Sequence, residues 1–276
     1  ICGNTPGDYV GIVKGINDVN GDNVPDFIVG SAATGKFYLF FGNNNGLPNQ
    51  INVNNINGLG IALLGINPNS LGWISAVPDI NGDRLNEFVI SDTMATGKVY
   101  LINGQRSFSS PINLLNYLNG TTGTTFIGSS TLFTGSSLFG TKNIYGNGKS
   151  ALLIGEPGIN TATYTGKVYL IDAKNGGYPA TVNLASPNGT IITTFTGANS
   201  GDQIGYSLDA LDLNWDNCTD IVICSIKMNG KTGGCTVVLG NVNGYSTSVS
   251  LATFTGNNGI VINGVNSGDG STPAGA

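Results

Sequence analysis

Hydrophobic and polar positions alternate along this chain in short bursts, and Gly- and Asn-rich turns separate the bursts. Phe27-Ile-Val29, Phe88-Val-Ile90 and Ile221-Val-Ile223 are apolar and β-branched, Gly11-Ile-Val13 and Gly205-Tyr-Ser-Leu208 alternate, and no long segment has helical periodicity. Alternation bounded by such turns predicts an all-β protein built from hairpins. The pattern recurs as an alternating innermost strand, an acidic loop, a Phe27-type strand, a Gly-containing turn and a Lys-aromatic strand. A polar turn such as Gly42-Asn-Asn-Asn-Gly46 or Gly240-Asn-Val-Asn-Gly244 then leads to a fourth strand, predicted at Ile51-Asn-Val53, Ile112-Asn-Leu114, Val182-Asn-Leu184 and Val249-Ser-Leu251.

The acidic loop sets the repeat. Asp-x-Asn-x-Asp-x-x-x-(Asp/Glu) occurs at Asp18 to Asp26, Asp79 to Glu87 and Asp212 to Asp220, and a degenerate copy, Asn143-Ile-Tyr145-Gly-Asn147-Gly-Lys149-Ser-Ala151, stands between the second and third. The steps are 61, 64 and 69 residues. A second marker keeps the same phase: Gly35-Lys-Phe-Tyr38, Gly97-Lys-Val-Tyr100, Gly166-Lys-Val-Tyr169 and the weaker Gly234-Cys-Thr-Val237. A long period with four short antiparallel strands per unit predicts a β-propeller or propeller-like array of about four blades. One repeat domain spans 1–276, with blades at about 1–56, 57–118, 119–190 and 191–252, and 253–276 holding a terminal strand and tail.

Oxygen ligands at alternate positions of a tight loop suit Ca²⁺. The expected ligand sets are Asp18, Asn20, Asp22, Val24 and Asp26; Asp79, Asn81, Asp83, Leu85 and Glu87; and Asp212, Asn214, Asp216, Cys218 and Asp220, with Val24, Leu85 and Cys218 giving backbone carbonyls. Up to three Ca²⁺ are expected, because the degenerate copy has no carboxylate and carries Lys149. Each loop runs into a β-branched strand, not the outgoing helix of an EF-hand, and the first loop has Val29 where an EF-hand places its bidentate Glu.

In these features the chain resembles the FG-GAP repeats of integrin α-subunit heads. The resemblance extends over all four periods through the preceding glycines (Gly11, Gly72, Gly140, Gly205), the acidic loop, the Gly-Lys-Val-Tyr strand and Gly155-Glu-Pro157. It implies calcium in loops on one face of a propeller and partner binding by loops on the opposite face. Integrin-like heads have seven blades and this chain shows four, which leaves a smaller ring, a partial chain, or repeats that do not close.

Charged residues are only 10% of the chain and glycine numbers 43, as expected of many short strands joined by turns. Nine of the 16 carboxylates are loop residues, and three divalent ions would take the formal charge from −5 to +1. The 11 Lys and Arg form no stripe, which leaves nucleic-acid binding without an electrostatic basis. No apolar run reaches the ~18 residues of a membrane helix, and a chain that begins at Ile1 with no leader reads as processed or excerpted. Weak calcium loops work where calcium is abundant, so an extracellular or cell-surface setting is expected. Sequons at Asn119, Asn188 and Asn217 are compatible with it.

Cys224 and Cys235 flank one predicted hairpin connection, where a cross-strand disulfide is reasonable. The remaining pair, Cys2 with Cys218, would need the chain start to meet the fourth unit, and free thiols remain open for both pairs.

The chain has no His, which removes Ser-His and Cys-His nucleophilic systems. Carboxylate chemistry on a polysaccharide would have to use Asp92, Glu156, Asp202 or Asp209. Tyr9, Trp73, Tyr164 and Tyr206 could offer a stacking surface for glycans or a face for matrix or cell-surface proteins. The segment Ile262 to Asp269 stands at the repeat phase of Ile1 to Asp8, as a head-to-tail polymer or a closed ring would use it. The sequence is therefore read as a non-enzymatic structural or adhesive protein that associates with itself.

Overall fold

The computed structural model describes residues 1–3, 10–31, 34–68, 72–93, 96–187, 192–254 and 256–266. The chain is all-β, and its strands form four mostly antiparallel sheets in series. The first contains β1 (Val10–Asn17), β2 (Asp26–Ser31), β3 (Lys36–Phe40) and β4 (Gly60–Leu64). The second contains β5 (Ile74–Val77), β6 (Glu87–Asp92) and β7 (Lys98–Ile102); after β8 (Ile112–Asn113) and one helical turn, α1 (Leu114–Tyr117), it is completed by β9 (Gly123–Ile127). The third is β10 (Leu138–Lys142), β11 (Ser150–Glu156) and β12 (Lys167–Asp172), completed after β13 (Thr181–Asn183) by β14 (Ile192–Thr196). The fourth is β15 (Ser207–Leu211) and β16 (Asp220–Ser225), then the turn α2 (Met228–Lys231) and β17 (Gly234–Val238), and after β18 (Ser248–Ser250) it ends with β19 (Gly259–Asn263).

The innermost, Phe27-type and Lys-aromatic strands lie where the sequence predicts them, but the fourth antiparallel strand does not. Its place is taken by β4, β9, β14 and β19, which follow the predicted segments by several residues. The segments at 112–113, 181–183 and 248–250 instead cross to the sheet before their own. They pair there in parallel with its outermost strand, as Leu64 with Asn113, Ile127 with Asn183 and Thr196 with Ser250. Two or three residues ending in Asn or Ser are too few to carry an antiparallel edge alone, whereas beside a five-residue strand they close its open backbone groups. The first such segment, around Asn52, pairs the same way with Cys2.

Packing is serial as well. β1 lies on β5, β5 on β10 and β10 on β15, and among the described residues β15 has no comparable packing on β1. Each junction has its own apolar core. Leu39 and Leu63 meet Phe88 and Tyr100; Val89 and Phe126 meet Leu152 and Tyr169; Leu153 and Phe195 meet Ile221 and Val238. A strand such as β6, packed on both faces, is buried throughout, which is why its central Phe88-Val-Ile90 is apolar without alternation.

Cys224 and Cys235 are cross-strand neighbours on β16 and β17 and form the predicted disulfide; Cys2 is exposed and Cys218 buried, and both are free thiols. Replacing both bridged cysteines with serine is expected to cost about 2–3 kcal/mol for a loop of this size. A urea midpoint unchanged by reduction would remove that assignment.

Candidate metal centre

Each acidic loop joins the innermost strand of a sheet to its second strand, and the four loops share one backbone path. The fourth position is left-handed in all of them (Gly21, Gly82, Gly146 and Trp215), and so is the sixth (Asn23, Arg84, Gly148 and Asn217). The first-position side chain turns the loop by accepting the sixth residue's amide. Asp18 Oδ2 accepts from Asn23 at 2.7 Å, Asp79 Oδ2 from Arg84 at 2.9 Å, Asp212 Oδ2 from Asn217 at 3.0 Å, and Asn143 Oδ1 from Gly148 at 2.7 Å. The degenerate copy therefore keeps the fold of the loop and lacks only its charge.

The third and fifth positions lock together. The Asn20, Asn81 and Asn214 side-chain amides donate to Asp22, Asp83 and Asp216 at 3.0, 3.0 and 2.9 Å, and the fifth-position carboxylates accept the amides of Val24, Leu85 and Cys218 at 2.8, 2.8 and 2.7 Å. These bonds hold Asp216 below the usual carboxylate range, the Asn214 bond first and the Cys218 amide next.

The ninth position differs between loops. Asp26 accepts the Val19 amide at 2.9 Å and the Gly42 amide at 2.8 Å, and Asp220 accepts those of Leu213 and Gly240 at 2.8 and 2.7 Å. One oxygen of each carboxylate thus binds the loop and the other the turn after the third strand, which ties the second strand to that turn. Glu87 makes the same tie, accepting from Ile80 at 2.8 Å and from Gly104, but its longer side chain also accepts from Asn81 at 3.0 Å. That reach brings Asp79, Asp83 and Glu87 together with ligand oxygens all within 4.8 Å of one another. Oxygens 2.3–2.6 Å from a Ca²⁺ can lie no farther apart than about 5 Å, so this donor set fits the ion. In the third loop Asp212 Oδ1 is buried without a hydrogen-bond partner.

Burial pushes Glu87 up from 4.5 to about 9, and the Asp83 and Asp79 charges add to the shift. Asp26 is raised for the same leading reason. A divalent cation would supply the charge that these clustered acids lack.

The glycine amides that tie the ninth position (Gly42, Gly104, Gly240) are functional groups the loop motif does not reveal. Their signal is a glycine at one repeat phase, just beyond the third strand. The other acidic candidates are occupied within the fold. Glu156 accepts from Tyr164 and Thr134 at 2.5 Å each, Asp202 accepts the Asn199 amide at 2.7 Å, Asp92 accepts from Asn67 at 2.5 Å, and Asp209 accepts the Ala210 amide at 2.7 Å. Of the aromatic candidates, Trp73 is exposed, Tyr164 and Tyr206 are half-buried, and Tyr9 lies outside the described residues. Asn119 and Asn217 are exposed, and Asn188 lies outside the described residues. No helix among the described residues is long and apolar enough to cross a membrane. No family model matches this chain, and no curated protein matches it.

Proposed function

We propose that this chain is an extracellular, calcium-stabilised structural protein of FG-GAP-like, propeller-type repeats, non-enzymatic and adhesive, which associates with itself into a fibre or surface assembly. The observation that carries this reading is the serial repetition of one sheet-to-sheet contact, with the acidic loop of each sheet seated at the junction. Asn86 at the second loop donates to the Asp18 carbonyl at 2.9 Å, and Asn143 at the degenerate loop is bonded to the Asn217 carbonyl at 2.6 Å. An ion that stiffens a loop therefore stiffens the junction between two sheets. The disulfide is compatible with an oxidising compartment. Asp79, Asp83 and Glu87 are the first ion site, and the first and third loops are weaker sites of the same kind.

The test is electron microscopy of the protein in millimolar calcium and again after chelation with EGTA. Regular assemblies that loosen on chelation support the reading, and dispersed particles in calcium overturn its self-associating form. Exposed Trp73, at the far end of β5 from the acidic loop, favours a second reading as a glycan- or matrix-protein-binding face. Such binding would survive dilution to the monomer.

A further inference from the structure

We infer that β19 of one molecule pairs in parallel with residues 51–53 of a second copy, so that the fourth sheet of one chain stacks on the first sheet of the next. This inference rests on the self-association proposed above and names the surfaces that carry it.

The contact already exists three times inside the chain. The outermost strand of each of the first three sheets lies under the next sheet and is closed by a short parallel segment belonging to it. The inward-facing pair of positions on that strand is buried each time: Ile61 and Leu63 are 3% and 0% exposed, Thr124 and Phe126 1% and 0%, Thr193 and Phe195 3% and 0%. A glycine follows the strand in every case (Gly65, Gly128, Gly197 and Gly264), which fixes the phase. At that phase β19 presents Ile260 and Ile262, which are 51% and 54% exposed. β19 is also the edge of its sheet among the described residues. Because Gly264 donates to Gly233, antiparallel alternation turns the N–H and C=O of Val261 away from β17 and toward the open edge.

The other half of the contact is at the opposite end of the series. Ile51 and Val53 pack with Val29, Tyr38 and Phe40, all of them buried, in an apolar cluster that among the described residues is drawn from the first sheet and its following segment, whereas the three internal clusters each draw on two sheets. Beside this segment Cys2 donates to Ile51 at 2.9 Å and accepts from Val53 at 3.2 Å. The latter bond matches that from Leu184 to Ile127 in the second junction, at 2.9 Å. Cys2 and Asn263 share one phase, each directly before the marker glycine, Gly3 or Gly264. In the assembly β19 takes the place that Cys2 holds, with Asn263 opposite Asn52 and Ile262 opposite Ile51 of the second copy.

The acidic-loop end tells the same story. The second loop residue is buried at each internal junction (Val19 0%, Ile80 0%, Ile144 1%) and its carbonyl accepts an amide from the next sheet: Gln105 at 2.9 Å, Lys174 at 2.9 Å, Asn241 at 3.2 Å. Leu213, the fourth of the series, is 45% exposed, and Asn43 of a second copy is the matching donor. One residue departs from the pattern. Trp215, 92% exposed, stands where the inner loops have Gly21, Gly82 and Gly146, so the intermolecular junction closes on an indole and not on bare backbone.

The experiment uses two full-length chains, each carrying Cys2→Ser and Cys218→Ser, one with Asn263→Cys and the other with Asn52→Cys. Mixed in calcium and oxidised, they are expected to give a disulfide-linked dimer of twice the 28.3 kDa chain, which neither forms alone. Val261→Pro, which removes an N–H that only the assembly uses, is expected to raise the concentration needed for assembly about tenfold while leaving the circular dichroism of the monomer unchanged. Assemblies that form without the mixed cross-link, or that tolerate Val261→Pro, overturn this interface and leave the self-association standing. A chain carrying both new cysteines that links only to itself overturns it in favour of a closed ring, and unassembled wild-type protein overturns both readings.

Discussion

Substituting Gly166 with alanine is expected to destabilise the protein by about 2–5 kcal/mol, the sum of a left-handed backbone imposed on a non-glycine residue and an overpacked contact. Gly166 has φ 81°, and a Cβ there would lie 2.3 Å from the Ile204 amide nitrogen and 2.4 Å from the Ile204 carbonyl oxygen. Neither neighbour can move cheaply, because Ile204 bridges Gly166 in parallel and its amide donates to Thr165 at 3.1 Å. In a chain of this size the loss corresponds to roughly 5–20 °C in Tm. Gly176→Ala separates the two causes: φ is 82° there, but nothing lies within 4 Å of the added methyl. Its loss should be about 1–2 kcal/mol. Equal losses for the two variants, measured by thermal unfolding, would dismiss the contact and leave backbone conformation as the whole effect. Gly35 and Gly97 hold the same position in the first and second sheets, with left-handed φ and backbone 2.2 and 2.3 Å from the added atom.

Calcium is expected to raise stability by about 1.4–2.7 kcal/mol per occupied loop at 10 mM, taking an extracellular-type affinity of roughly 10⁻⁴ to 10⁻³ M. The pH dependence identifies the loop. Without calcium the folded protein holds the Glu87 proton more tightly than the unfolded chain does, since the carboxyl is raised from 4.5 to about 9. This contribution is complete below pH 4.5 and is lost as pH rises toward 9. Melting in EGTA should therefore fall across that window, and calcium, which binds the ionised carboxylate, should flatten the fall. At pH 7 binding at this loop should release a proton, detectable by calorimetry in buffers of different ionisation enthalpy. Glu87→Gln keeps an acceptor for the Ile80 amide and should abolish both the slope and the proton release. A slope that survives the substitution would move the effect to other acids, Asp26 first among them.

Much of this molecule is legible in its sequence because the repeat writes the same local physics four times. The acidic loops could be placed from spacing alone, since Asp18, Asp79, Asp212 and even Asn143 act on amides five residues away. The disulfide was legible for the same reason, two cysteines flanking a single hairpin. The fourth strand was not. Gly123-Thr-Thr-Phe-Ile127 and its counterparts are short and rich in Gly or Thr, while Ile112-Asn-Leu114 and Val182-Asn-Leu184 alternate more cleanly. The choice between them is made by a parallel pairing some fifty residues away, which local alternation does not encode. The same holds for the ninth loop position. Asp26 reads as an ion ligand, and the motif does not show that its two oxygens also accept backbone amides, one of them from Gly42, sixteen residues later.

Because each sheet is closed by a segment of the next, the order of synthesis matters. β4 is complete at Leu64, but its partner at 112–113 leaves the ribosome only after nearly fifty further residues. At about 5–20 residues per second that is an interval of several seconds, during which an apolar strand edge on the nascent chain has no cover. The same interval recurs after β9 and after β14. Neighbouring chains on one polysome would expose matching edges at matching times, so mispairing between them during translation is a hazard built into this topology, and slowing elongation would lengthen it.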